Sequence, residues 1–85
     1  MTIMTVRCWL VDRDYDDKGL IRLTYATTDG EQSLTRERAA VTAGEATAAI
    51  EVDPGRLQSV SDDDRVRYSE EASRMKEQHG PDDVV

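Results

Sequence analysis

The chain has 85 residues, 38% hydrophobic and 34% charged, with eighteen Asp and Glu against eleven Lys and Arg and a net charge of −7. A chain this short makes one domain that hides only about 60–65% of its unfolded surface, so its own core is thin. One Cys excludes an internal disulfide, Cys8 with His79 gives too few ligands for a zinc site, and the longest apolar run, Cys8 to Val11, falls far short of the ~20 residues of a membrane helix.

Val6 to Thr27 has the outline of a β-hairpin. Val6, Cys8 and Leu10 alternate with Arg7, Trp9 and Val11. Both faces are apolar mid-strand, which predicts a central strand, or one whose second face meets the C-terminal helix or a partner chain. Asp12 to Gly19, DRDYDDKG, reads as a solvated connection in which Gly19 takes positive φ. Its Asp12, Asp14 and Asp16 have the alternate spacing of a calcium loop. Asp17 stands where that loop needs Gly, however, and Leu23 where it needs Glu, so no metal site is expected. Leu20 to Thr27 is the second strand, with Ile21, Leu23 and Tyr25 inward. Thr28-Asp29-Gly30 is a turn, and Gln32 to Arg38 a third strand. Only Leu34 of that third strand faces in, the pattern of an exposed edge defended by Arg36, Glu37 and Arg38.

Ala39 to Ala49 is Ala-rich but contains Gly44, and its composition leaves a short helix and a loose connection both open. Ala49 to Asp53 reads as a strand ended by a Pro54-Gly55 turn with Gly55 at positive φ, after which Leu57 and Val60 return to the core. The clearest helix runs from Asp62 to His79. Ser61 is its N-cap, Asp62, Asp63 and Asp64 fill the first turn, and Gly80 and Pro81 close it. Ion pairs four residues apart are expected for Asp63 with Arg67, Arg67 with Glu71 and Glu70 with Arg74. The helix has a narrow buried stripe of Tyr68, Ala72, Met75 and His79, leaves Val66 outside, and is followed by a frayed tail. The expected fold is α+β: an antiparallel β-meander of three to four strands with one C-terminal helix packed on it. Residues 1–80 form the single domain and 81–85 the tail.

No catalytic constellation emerges. Cys8 shares a strand face with Val6 and Leu10, where a thiol is a core residue, and His79 at a helix end complements the C-terminal carbonyls. With no phosphate loop, dinucleotide fingerprint or Cys-x-x-Cys, the expectation is a non-enzyme without cofactor. A short chain with a first strand apolar on both faces points to a protein-association module, a homodimer or an accessory subunit, with Trp9, Val11 and Val66 as its face. The alternative is a nucleic-acid-binding module. Residues 1–43 carry six basic and seven acidic side chains while residues 44–85 carry five and eleven, so the N-terminal sheet is the less acidic half. If Arg7, Arg22, Arg36 and Arg38 share a sheet face, they contact phosphates while Trp9 or Tyr25 stacks on a base.

Arg occurs nine times and Lys only at positions 18 and 76, Asp outnumbers Glu, and Phe is absent. That pattern resembles cytoplasmic proteins of salt-loving archaea, whose carboxylate-rich, Lys-poor surfaces work where the Debye length is about 3 Å, at ~1 M salt. Trp9-Leu10-Val11, Tyr15-Asp16-Asp17-Lys18-Gly19-Leu20-Ile21, Tyr25-Ala26-Thr27 with Asp29-Gly30, Val52-Asp53-Pro54 with Leu57, and Tyr68, Glu71-Ala72 and Arg74-Met75 extend the likeness over most of the chain. On these residues the sequence resembles a family of small acidic haloarchaeal proteins of unknown function. The resemblance implies a salt-adapted cytoplasmic protein and carries over no site residues.

Overall fold

The computed structural model describes residues 4–39 and 46–85. Five antiparallel strands form one sheet in the order β4-β1-β2-β3-β5, and one helix packs on it. The strands are β1 (Val6–Tyr15), β2 (Leu20–Ala26), β3 (Gln32–Ala39), β4 (Ala49–Val52) and β5 (Gln58–Ser59); the helix is α1 (Asp62–Gln78). The architecture is the α+β fold expected, with β5 a two-residue addition that pairs with Gln32 and Ser33.

The double-faced hydrophobicity of β1 has a direct cause in this order. β1 lies between β4 and β2, and its two faces feed two apolar clusters. Cys8 and Leu10 join Ile21, Leu23, Tyr25 and Val52 on one side, where Ala46 and Leu57 pack against them. Trp9 faces the other way and meets Ala48, Ala49 and Ala72, the last from α1. Met75 and Val85 touch both clusters, so they close the end of the sheet where the two layers meet. Trp9 is 4% exposed and Cys8 and Ala72 are fully buried.

β1 runs four residues further than the alternation suggests. Asp12, Arg13, Asp14 and Tyr15 pair in register with Thr24, Leu23, Arg22 and Ile21, so the connection shrinks to Asp16, Asp17, Lys18 and Gly19. A bulge between Leu10 and Asp12 leaves Val11 without a partner on β2. One extra residue reverses the side-chain alternation. It turns Asp12 and Asp14 away from the Leu23 face and places Arg13 and Tyr15 on it.

Gly19 has the positive φ expected, 82°, and the turn expected at Asp29-Gly30 is made with Gly30 at φ 73°. Gly55 does not: Pro54–Arg56 forms a single 3-10 turn capped by the Asp53 carboxylate, which accepts from the Gly55 N–H at 3.0 Å. Leu57 and Val60 return to the core as expected. The helix begins where expected, but its charged pairs are spaced by three rather than four: Arg65 with Asp62, Arg67 with Asp64, Arg74 with Glu71. Of the expected stripe Ala72 alone is fully buried, with Tyr68, Met75 and His79 half-buried. The helix ends at His79 in extended backbone, without a left-handed Gly80, whose N–H donates to the Asp83 carboxylate at 2.8 Å.

The largest departure is the tail. It is docked rather than frayed: the N–H groups of Ala48 and Ala49 donate to the carbonyls of Asp83 and Pro81, and that of Val85 to Ala46, while Arg13 donates to the Val85 carbonyl. These bonds extend the β1–β4 side of the sheet by an irregular edge, with a bridge between Thr47 and Val84. The helix-or-connection question for Ala39 to Ala49 falls mainly on residues 40–45, outside the described residues.

Candidate functional site

Trp9, Val11 and Val66 do not share a surface. Trp9 lies under α1 against Ala72, Val11 is half-buried at the bulge beside the second cluster, and Val66 is 64% exposed. The covering element is the chain's own helix, which approaches closely because the residues it presents are small. Ala72 meets Trp9, and the Ser69 hydroxyl donates to the Thr28 carbonyl at 2.9 Å. Register divides the four arginines between the two faces of the sheet, although Arg7 and Arg36 line one cleft together with Glu51 and Asp82. Register places Arg7 opposite Glu51 and Arg22 between Asp14 and Glu37, whereas Arg36 lies opposite Leu23 and Arg38 opposite Ile21 on the other face. Arg7 and Arg22 are in exposed ion pairs with Glu51 and Glu37, contacts that solvent screens strongly. Trp9 and Tyr25 are buried, 4% and 2% exposed, so neither ring offers a stacking face.

Cys8 is fully buried, and burial, with the charges of Glu51 and Asp29 adding to it, pushes its thiol up to about 11. A thiol held neutral in this way is the opposite of an activated nucleophile. The thiol approaches the Val6 carbonyl at 3.8 Å. His79 is 3.9 Å from the Asp83 carboxylate at the tail. The two groups belong to different parts of the fold, Cys8 to the central strand and His79 to the helix end. The aspartates of β1 do not converge either. Asp12 and Asp14 project from a strand while Asp16 accepts from the Lys18 N–H, and among the described residues no three His, Cys, Asp or Glu side chains gather.

What the structure brings together instead is the end of the β1–β2 hairpin. All residues from Asp12 to Leu20 are exposed, so this arm projects beyond the two clusters. Tyr15 is 66% and Leu20 36% exposed, and with Asp14, Asp16, Asp17, Ile21, Arg22 and Glu37 they line a cleft of about 280 Å³. Asp16 shapes the turn, accepting from the Lys18 N–H while its own N–H donates to the Leu20 carbonyl at 2.7 Å. Tyr15 and Leu20 were not among the residues expected to form a surface. The signal for them was present as an aromatic and an aliphatic residue flanking a turn otherwise made of charge.

Residues 2–85 match the family of unknown function DUF7967. The chain belongs to that family. Comparison with curated proteins and with solved structures gives no match. Among the described residues, no helix is long and apolar enough to cross a membrane.

Proposed function

We propose that this DUF7967 member is a non-catalytic association module that forms a homodimer through the β1–β2 hairpin arm, in the cytoplasm of a salt-adapted cell. The observation that carries the reading is the arm itself, which presents Tyr15 with two-thirds of its surface open beside Leu20. Tyrosine supplies a large contact area at low entropic cost and is enriched in interface cores. The arm is also self-complementary in charge. Asp14, Asp16 and Asp17 lie within a few residues of Lys18, and none of the four forms an ion pair among the described residues. Two arms related by a two-fold axis bring each lysine to the other's aspartates.

The halophilic and cytoplasmic part of the reading rests on the composition. A chain of net charge −7 with two Lys and nine Arg repels itself in dilute buffer and is relieved by salt.

Light scattering after size exclusion, at about 2 M and about 0.1 M KCl, tests both parts across a severalfold change in screening length. The wild type is expected at twice the chain mass in high salt, and a Tyr15→Ser, Leu20→Ser variant at the chain mass with its circular dichroism unchanged. A wild type that is monomeric across concentration and salt, or a variant that stays dimeric, overturns the dimer. Stability that does not rise with KCl overturns the salt adaptation.

A further inference from the structure

Part of the outer edge of β3 has no neighbour. β5 pairs with Gln32 and Ser33 only, so from Leu34 to Arg38 that edge of the sheet is open among the described residues. The side chains along it are sorted by charge. Arg36 and Arg38 lie on the face of Leu23 and Ile21, while Thr35 and Glu37 lie on the other, where Glu37 accepts from Arg22 at 3.1 Å. In a chain of net charge −7, neither Arg36 nor Arg38 forms an ion pair among the described residues. Arg13 adds to the same face across Leu23 from Arg36, and it donates to the Val85 carbonyl rather than to a carboxylate.

We propose that the open edge of β3 receives an extended acidic segment of another protein as an added antiparallel strand, its alternate carboxylates lying against Arg36 and Arg38. Backbone bonds to the edge supply affinity, and the charge of every second side chain supplies selection.

The same edge selects against a second copy of itself. Two β3 strands related by a two-fold axis pair residues that share a face. An axis through Arg36 sets Arg36 against its own counterpart; one through Glu37 opposes two glutamates and sets Arg36 against Arg38 on both sides. Like charges directly opposed destabilise a strand pair. A nucleic acid is also a poorer occupant. It has no peptide groups to match those of the edge, and its phosphates continue past the arginines onto an acidic surface. The edge adjoins the arm, since Ile21 pairs with both Tyr15 and Arg38 and Glu37 lines the cleft beside Tyr15 and Leu20. The dimer test changes Tyr15 and Leu20 and reads mass, while this one changes Arg36 and Arg38 and reads peptide affinity, so the two can fail independently.

The experiment is fluorescence anisotropy with the full chain and labelled short peptides: one alternating Glu and Val, one with Lys in place of Glu, and one with Pro at its centre. A single-stranded oligothymidylate is the fourth probe. The Glu/Val peptide is expected to bind and the Lys and Pro peptides to fail, since Pro removes an N–H that the edge requires. An R36E/R38E variant is expected to lose at least about tenfold in affinity for the Glu/Val peptide and to gain the Lys peptide. Should that variant unfold by circular dichroism, R36Q/R38Q carries the same test of lost affinity. No binding of the Glu/Val peptide, equal binding of the Glu and Lys peptides, tolerance of Pro, or oligothymidylate binding that depends on Arg36 and Arg38 overturns the proposal.

Discussion

Gly30 sits directly under the backbone of Arg65. A methyl group on Gly30 would overlap the Arg65 carbonyl oxygen and come within 2.9 Å of the Ser69 amide nitrogen. The β2–β3 turn therefore fixes how near the first half of α1 lies to the sheet, and that spacing is what Trp9 fills on the same side.

Replacing Gly30 with Ala imposes two costs, a left-handed backbone at φ 73° and a clash with helix backbone that has no rotamer to escape into. Gly19→Ala imposes only the first, because nothing lies within 4 Å of its missing Cβ. Urea unfolding is expected to show about 1 kcal/mol lost for Gly19→Ala and about 3 kcal/mol or more for Gly30→Ala. Equal losses would show that α1 does not rest on the turn.

Trp9 is a test of the core rather than of the dimer. Being 4% exposed and packed on Ala72, it is expected to cost about 3–5 kcal/mol when changed to Ala. For a thin core that is a large share of total stability. The expected observation for Trp9→Glu is thus loss of the folded signal in near-ultraviolet circular dichroism. A folded Trp9→Glu monomer would return that side chain to the association face.

The docked tail predicts that removing residues 81–85 destabilises the sheet at its β1–β4 side. Three backbone bonds, Ala48 to Asp83, Ala49 to Pro81 and Val85 to Ala46, are lost together with the Arg13 contact. At about 1 kcal/mol net per bond the loss is on the order of 3 kcal/mol. It is measured as a shift of the urea midpoint at unchanged slope.

Alkaline pH should weaken the fold. The Cys8 thiol ordinarily loses its proton at 9.0, and in the folded chain burial, with help from Glu51 and Asp29, pushes that up to about 11. The Tyr25 hydroxyl is raised from 10.0 by burial, against the opposing charges of Arg36, Arg38 and Arg13. For both groups the folded state keeps a proton that the unfolded state releases. Stability is full below pH 9, then falls as pH rises toward 11. Cys8→Ser is expected to flatten the lower part of that fall in a pH series of thermal midpoints. Native Cys8 should also resist alkylation at pH 8, and reaction at the rate of a free thiol would contradict its burial.

Legibility in the sequence followed the distance over which each feature is decided. The helix limits, the turn at Asp29-Gly30 and the central place of a strand with Trp9 and Cys8 on opposite faces are set by neighbours within a few residues, and all are visible there. The bulge at Val11 is not, because a slip in pairing has no signature on one strand alone, and with it went the true length of β1. The pairing of Val84 with Thr47 spans residues that look unremarkable apart. Burial of Trp9 by α1 had a faint signal in the small residues Ser69 and Ala72, which permit close approach. That signal becomes readable only once Gly30 is known to lie beneath them. The candidate arm was obscured by its aspartates, which made a paired strand look like a loop.

Placing β1 in the middle of the sheet orders events during synthesis. β1, β2 and β3 join through short turns and can zip as soon as they are made, since local contacts form before distant ones. The other flank of β1 and the cover over Trp9 come from residues 46–85, translated after these three strands. A nascent chain therefore holds a half-built sheet with a bare tryptophan and an unmatched strand side until synthesis reaches Val85. The arginine and glutamate side chains along β3 then guard the growing polypeptide against its neighbours on the same message.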